Sequence, residues 1–512
     1  MIDRRTLLGG GTAAVSTLLL PAHLWAAPSR SPIASASIGR FRGSHLDGVQ
    51  CFLGVRYGVA QRFQPPRASK RTAGIIDAAK FGPSAPQRAS ALPTSEDCLY
   101  LNVWTPEADA KARRPVMVYI HGGAYSGGSG SDPRTDGAKL SAQGDVVVVT
   151  LNHRLNAFGY LYLAELSDRF ADSGNAGQLD LILALQWVRD NIEGFGGDAS
   201  KVMVFGQSGG GAKIATLMGT PRAEGLFHAA ATMSGQQVTV SGPLHAARRT
   251  RAYMAALGVA QPEQLLELPT ERLIEGLSCP DPVMGGSIYF GPVLDERSLT
   301  RHPFWPDANP QSNRIDLLLG NTHDEARAFF DASKAPLAGL SWETLPWVLG
   351  PELRVDIDPR LVVARYRQWF PMSSPQDLFF AAVTAARSWR GQIEEAEARA
   401  RAGAPTWVYQ LDFPAPLAPD KRACHTLDIG LVFGTLDAPG SMLGTGAEAR
   451  AVSGRMMAVF AGLAHGRAPT WPRYDLSHRT SMLFDVHDRI VDDPRRDERL
   501  LFAKVPYIQP GS

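Results

Sequence analysis

An α/β fold, with a mostly parallel central sheet covered by helices on both faces, is predicted by three features of the sequence. From residue 115 onward, short β-branched runs alternate with helical patterns. The runs are apolar throughout, as strands buried on both faces require, instead of alternating apolar with polar. One of them turns through glycines directly into a helix of small residues.

The elements follow in order. Residues 116–120 (Val-Met-Val-Tyr-Ile) form a strand that ends in His121-Gly122-Gly123. Asp145 leads into a second strand, Val146 to Thr150, which ends near Asn152. Residues 179–192 are apolar on most faces (Leu181, Ile182, Leu185, Trp187, Val188), the pattern of a helix buried on a sheet. Residues 201–205 read as a strand that turns at Gly206 into a helix at 209–218. Later strands are expected at 315–319 and 406–413. Residues 30–113 are Pro-rich with short strands and read as a decorating hairpin region. Two insertions over the sheet are expected, at about 240–312, rich in Pro and Gly with weak periodicity, and at about 327–400. No polar linker separates two cores, so residues 28–512 are expected to be one catalytic domain.

The first 27 residues read as an address. Arg4-Arg5 precede Thr6-Leu7-Leu8, a soft apolar run continues through Leu20, and Ala26-Ala27 offer small residues to a signal peptidase. The run is too short for a stop-transfer helix, which needs about 20 residues. The paired arginines resemble a twin-arginine signal; a Sec signal that starts with two arginines is the alternative. Either leader implies a periplasmic or secreted protein without a stable membrane anchor. With 52 Lys+Arg against 50 Asp+Glu, the formal charge is +2. No basic cluster is present, which argues against a nucleic-acid partner. No obligate protein partner is evident. The four cysteines (Cys51, Cys98, Cys279, Cys424) lack CxxC spacing, so zinc and dithiol chemistry have little support and buried free thiols are expected.

Gly206-Gln207-Ser208-Gly209-Gly210 reads G-x-S-x-G. In a chain with 50 glycines the pentapeptide alone is a weak signal. Its setting between strand and helix is the one a nucleophile elbow demands: the glycines permit a sharp turn that lifts the Ser208 hydroxyl above the sheet, at the positive end of the next helix. The bland alternative is a glycine-rich turn with an idle serine. Acyl transfer also needs N–H donors for the oxygen of a tetrahedral intermediate. His121-Gly122-Gly123-Ala124 exposes such groups after a strand, so the expected donors are Gly123, Ala124 and, after the nucleophile, Gly209.

Behind such an elbow the acid and then the histidine follow in chain order. Four histidines come late enough: His425, His465, His478 and His487. The last three fall in a polar C-terminal stretch with no preceding strand expected. His425 follows the 406–413 strand by a loop and can reach the sheet edge that carries Ser208. For the acid, Asp324 and Glu325 both qualify, just past Gly320-Asn321; two solvated loop carboxylates are the bland alternative.

Together these residues resemble the type-B carboxylesterase family, which includes cholinesterases and bacterial para-nitrobenzyl esterases. The likeness runs through nearly the whole chain after the leader. Ser95-Glu96-Asp97-Cys98-Leu99-Tyr100-Leu101-Asn102-Val103 looks like the family's second signature. Gly174-Asn175-Ala176-Gly177, Gln186-Trp187-Val188 and Phe195-Gly196-Gly197-Asp198 lead into the elbow as they do in the family; Gly466-Arg467-Ala468-Pro469 and Trp471-Pro472 fit near the end. The resemblance implies an α/β-hydrolase fold and a serine esterase without a metal or organic cofactor, acting on a small-molecule ester. It selects Glu325 over Asp324, places the base at His425 ahead of Val432-Phe433-Gly434, and implies a buried Glu96–Arg154 pair.

The departures narrow the substrate. Gln207 stands where cholinesterases place a glutamate. Ala85 removes the family's partner for Cys98, and the short loop between them lacks the tryptophan that cradles choline. Ala326 replaces the glycine after the acid, and Ala124 the third glycine of the oxyanion segment. Ser208 as nucleophile, His425 as base and Glu325 as orienting acid is thus the expected constellation, for neutral esters rather than choline esters. A specialised hydrolase of a carbamate, lactone, amide or mycotoxin ester shares it. A non-catalytic cholinesterase-like binding protein would have lost the nucleophile or the base.

Overall fold

The computed structural model describes residues 31–509 and Gly511; the expected leader lies outside them. Eleven strands among the described residues form the central sheet. Their spatial order is Arg489–Asp492, Thr480–Phe484, Thr406–Leu411, Asp316–Thr322, Ala229–Met233, Gly197–Gln207, Arg114–Ile120, Val147–Leu151, Tyr100–Thr105, Val49–Arg56 and Ser44–Leu46. The seven from Thr480–Phe484 to Val147–Leu151 run parallel; the outer strands on both sides pair antiparallel.

The apolar runs serve both faces because side chains alternate along a strand. Val116, Val118 and Ile120 enter one core with Val202 and Val204, beneath Leu181, Ile182, Leu185 and Val188 of the helix Ala176–Asn191. Met117, Tyr119, Met203 and Phe205 point the other way, into a core closed by the helices Leu427–Phe433 and Ala447–Ala464. Even the polar positions on these strands, such as Thr150, Thr232, Asn321 and Gln410, are buried, since neither face meets water.

Two expectations need correction, and one gains detail. The hairpin region is more than decoration, because Ser44–Leu46, Val49–Arg56 and Tyr100–Thr105 complete the central sheet. The weakly periodic stretch 240–312 contains the helices Pro243–Leu257 and Thr270–Gly276, which pack Tyr253, Met254 and Leu273 into a separate apolar cluster. The stretch holding the late histidines does contain a strand: Thr480–Phe484 precedes His487, which is itself exposed.

Residues 327–400 supply the helices Leu345–Leu353, Pro359–Trp369, Pro375–Thr384 and Arg390–Arg401; a further apolar cluster holds the first three together. Among the described residues no helix is long and apolar enough to cross a membrane.

Candidate active site

Parallel strands share a direction, so their C-terminal ends open on one edge of the sheet, where loops converge. Ser208 follows Gly197–Gln207, the segment 121–124 follows Arg114–Ile120, and Glu325 lies three residues past Asp316–Thr322. His425 arrives on the loop after Thr406–Leu411. Ser208, Gly123, Ala124 and His425 line one cavity of about 460 Å³. A neighbouring cavity of about 390 Å³ also reaches Gly123. Larger cavities of about 680 and 530 Å³ lie against the N-terminal strands, lined by neither Ser208 nor His425.

Ser208 has φ 55° and ψ −125°, a conformation that residues with a Cβ rarely adopt and that the surroundings must hold. Its N–H donates to Met233 O at 2.7 Å, and the helix Gly209–Met218 starts at the next residue. Close approach explains the glycines. A Cβ on Gly210 would lie 1.9 Å from Ile120 O, and one on Gly209 would lie 2.2 Å from Ala124 O. The elbow and the 121–124 loop are therefore in backbone contact. Gly123 and Ala124 both have positive φ, 86° and 52°. The N–H groups of Gly123, Ala124 and Gly209 meet no protein acceptor among the described residues.

His425 Nδ1 bonds Glu325 Oε2 closely. Glu325 Oε1 accepts from Thr322 N at 2.8 Å, from Asn321 Nδ2 at 3.3 Å and closely from the Ser234 hydroxyl. Burial pushes this carboxyl up, but His425 and the hydrogen bonds from Ser234 and Thr322 outweigh it. Glu325 is held below the usual glutamate range. Asp324 points elsewhere, to His323 Nδ1 at 2.9 Å and to Arg327 and Arg422. Behind the pair lies Asp428, which accepts from the Tyr409 hydroxyl at 3.1 Å. Burial, and then the charge on Glu325, push Asp428 up to about 7.

Gln207 lies against the His425 imidazole. The Gln207 amide nitrogen lies 3.1 Å from Nε2 and 3.4 Å from Nδ1, and no hydrogen bond joins Ser208 to His425. Such contacts are often unmade until substrate is bound. With the Nδ1 proton facing Glu325, Nε2 is the acceptor of the ring, and here it accepts from the Gln207 NH2. Phe329, at the exposed lip, packs on the imidazole with ring centroids 4.8 Å apart.

The implied Glu96–Arg154 pair is not formed. Arg154 bonds Asp180 at 2.9 and 2.7 Å, while Glu96 bonds Arg62 and Thr270. The reason is position: Asp180 sits on the buried helix Ala176–Asn191 facing the Arg154 loop. Cys51, Cys98, Cys279 and Cys424 are all free, but Cys279 is only half-buried, unlike the other three. Among the described residues, no group of three or more His, Cys, Asp or Glu side chains is placed to hold a metal ion. Sequence reasoning missed Ser234, Asp428 and Lys213 around the site. For Lys213 a signal existed: it is the one charged residue in a helix otherwise built of small and apolar residues and threonine.

A model of the carboxylesterase family matches residues 30–341. The chain is 33% identical over 495 residues to the para-nitrobenzyl esterase of Bacillus subtilis (strain 168), covering 91% of this chain and 97% of that one. It is 32% identical over 427 residues to a probable N-octanoylanthranilate hydrolase of Rhodococcus erythropolis, covering 79% and 85%. The solved carboxylesterase EST55 of Geobacillus stearothermophilus superposes with a TM-score of 0.82 at 32% identity, over 92% of this chain and 99% of that one.

Proposed function

The chain belongs to the carboxylesterase family and is a carboxylic ester hydrolase of the α/β-hydrolase fold, and from that premise we propose a mechanism for it. Ser208 attacks the ester carbonyl while His425 Nε2 takes its proton. Glu325 holds the imidazole tautomer and stabilises the imidazolium. The developing oxyanion sits on the N–H groups of Gly123, Ala124 and Gly209. His425 returns the proton to the departing alcohol, and water repeats the sequence on the acyl-serine. The observation that carries this reading is the convergence of Ser208, Gly123, Ala124 and Glu325-bonded His425 on one cavity, with the Gly209 N–H open at the residue after Ser208.

The substrates proposed are neutral esters. The charged residues lining the cavity, Asp132 and Arg134, pair with each other at 2.7 Å, and Gln207 presents an amide where a carboxylate would attract a cation. The two cavities meeting at Gly123 provide room for the acyl and alcohol parts on either side. An amide, or a specialised ester, suits the same machinery, and the name of the Rhodococcus relative illustrates the first. The proposed place of action is outside the cytoplasm, on the strength of the Arg4-Arg5 leader; cell fractionation of the full chain tests that separately.

Diisopropyl fluorophosphate tests the assignment. One equivalent should abolish hydrolysis of p-nitrophenyl butyrate, with the adduct mapped by mass spectrometry to Ser208. Full turnover by purified Ser208→Ala, or an adduct on another residue, overturns the mechanism.

A further inference from the structure

All ten residues of the helix Gly209–Met218 are buried, and Lys213 is its one charged residue. Its Nζ donates to Ala124 O at 2.8 Å and to His121 O at 3.1 Å, and lies 5.4 Å from the Tyr125 ring centroid. No carboxylate pairs with it among the described residues. The titratable groups it faces are His121, His153 and Tyr125. The two imidazoles stack with centroids 4.9 Å apart, and burial, followed by the charge of Lys213, holds both below the usual histidine range. Tyr125 is pushed up by burial. From the helix Ala176–Asn191 comes only a neutral group, Gln178, bonded to the Lys213 carbonyl at 3.1 Å.

An ammonium buried without a counter-charge is costly to fold. A merely structural position would be filled more cheaply by an apolar side chain. What this ammonium holds is specific. The His121 and Ala124 carbonyls bracket the stretch containing Gly123 N–H and Ala124 N–H. Ala124 sits at φ 52°, a left-handed conformation that costs about 1–2 kcal/mol for a residue with a Cβ and persists only where neighbours enforce it. Lys213 also stands on the helix that aims Ser208 and presents Gly209 N–H. One side chain therefore ties the two halves of the donor set together.

We propose that Lys213 is a positioning residue for the oxyanion site, clamping the 121–124 loop in its donor-forward conformation and, while protonated, supplying a positive charge behind it. This rests on reading Gly123, Ala124 and Gly209 as the oxyanion donors. Burial pushes the Lys213 amine down to about 7. The charge is therefore present at lower pH and is lost as pH rises through that value, which adds an alkaline limb to catalysis.

The test uses Lys213→Met and Lys213→Gln, with Ser208→Ala as reference. Kinetics are measured on p-nitrophenyl butyrate, and affinity is measured for an aliphatic trifluoromethyl ketone that forms a tetrahedral adduct with the serine. The expected result is a fall in kcat of about ten- to a hundredfold, below the hundred- to thousandfold typical of losing a direct donor. KM should stay within about threefold, ketone affinity should fall in step with kcat/KM, and the alkaline limb should vanish. A folded Lys213→Met with kcat within about threefold of the parent and an unchanged pH profile overturns the proposal. If neither variant folds, ketone affinity of the unmodified enzyme decides: a fall above about pH 7 supports it, and a flat profile from pH 6 to 10 overturns it. Full turnover in Ser208→Ala would instead sink the underlying reading; an inactive Ser208→Ala beside a fully active Lys213→Met sinks only this inference.

Discussion

Replacing Glu325 by glutamine separates an orienting acid from a solvated loop carboxylate more sharply than any other single change. Glu325 is 1% exposed, and its two oxygens receive His425 Nδ1, Ser234, Asn321 and Thr322 N. An amide fits the space but cannot serve every donor. If its oxygen keeps Thr322 N and Ser234, its NH2 faces Nδ1; the imidazole then carries its proton on Nε2 and cannot take one from Ser208. If the amide turns over, the NH2 faces the donors instead. The tautomer argument sets the scale at about a thousand- to ten-thousandfold in kcat, or about 4–5.5 kcal/mol at 1.36 kcal/mol per decade. Asp324→Asn removes contacts to His323, Arg327 and Arg422 that do not reach His425. Partly exposed pairs of that kind contribute about 0–1 kcal/mol to stability, so kcat should change by less than about threefold. The assay is kcat and KM on p-nitrophenyl butyrate, with Tm against pH for both variants. Folded Glu325 is held below the usual range, so its ionised form stabilises above that range, and this contribution is lost as pH falls through the folded value. Glu325→Gln should flatten the acid side of the Tm profile. A greater loss of kcat in Asp324→Asn, or a Glu325→Gln enzyme within tenfold of the parent, refutes the reasoning.

Two further outcomes are expected. Gly209→Ala places a Cβ 2.2 Å from Ala124 O and should lower kcat by about tenfold or more with a lower Tm, whereas Gly454→Ala, on the exposed side of Ala447–Ala464 with open space around it, should stabilise by about 0.5–1 kcal/mol; equal effects at the two sites would show that the backbone contact is not as drawn. Thiol titration of the denatured, unreduced protein should count four free thiols, while the native protein should react slowly and first at half-buried Cys279, because burial raises every thiol, Cys51 to about 12 and Cys424 to about 11; a denatured count of two reveals a disulfide.

The sequence by itself determined whatever is written in consecutive residues. The strand–glycine–helix passage around Ser208 is local, because a sharp turn needs its small residues at adjacent positions. Apolar runs without alternation marked strands buried on both faces for the same reason. The residues alone could not choose between Asp324 and Glu325, which stand side by side in one loop and share a charge. The family resemblance favoured Glu325, and the fold turns that side chain, not its neighbour, onto His425. Pairings across long separations were decided only by the tertiary structure. Arg154 bonds Asp180 instead of Glu96 because the packing of one helix against one loop selects among carboxylates that are equivalent by type. The same holds for Gln207 against His425, 218 residues apart in the chain, and for Lys213 against the carbonyls of His121 and Ala124. A side chain's identity fixes what it can bond, but which partner it meets depends on where distant elements come to rest against each other.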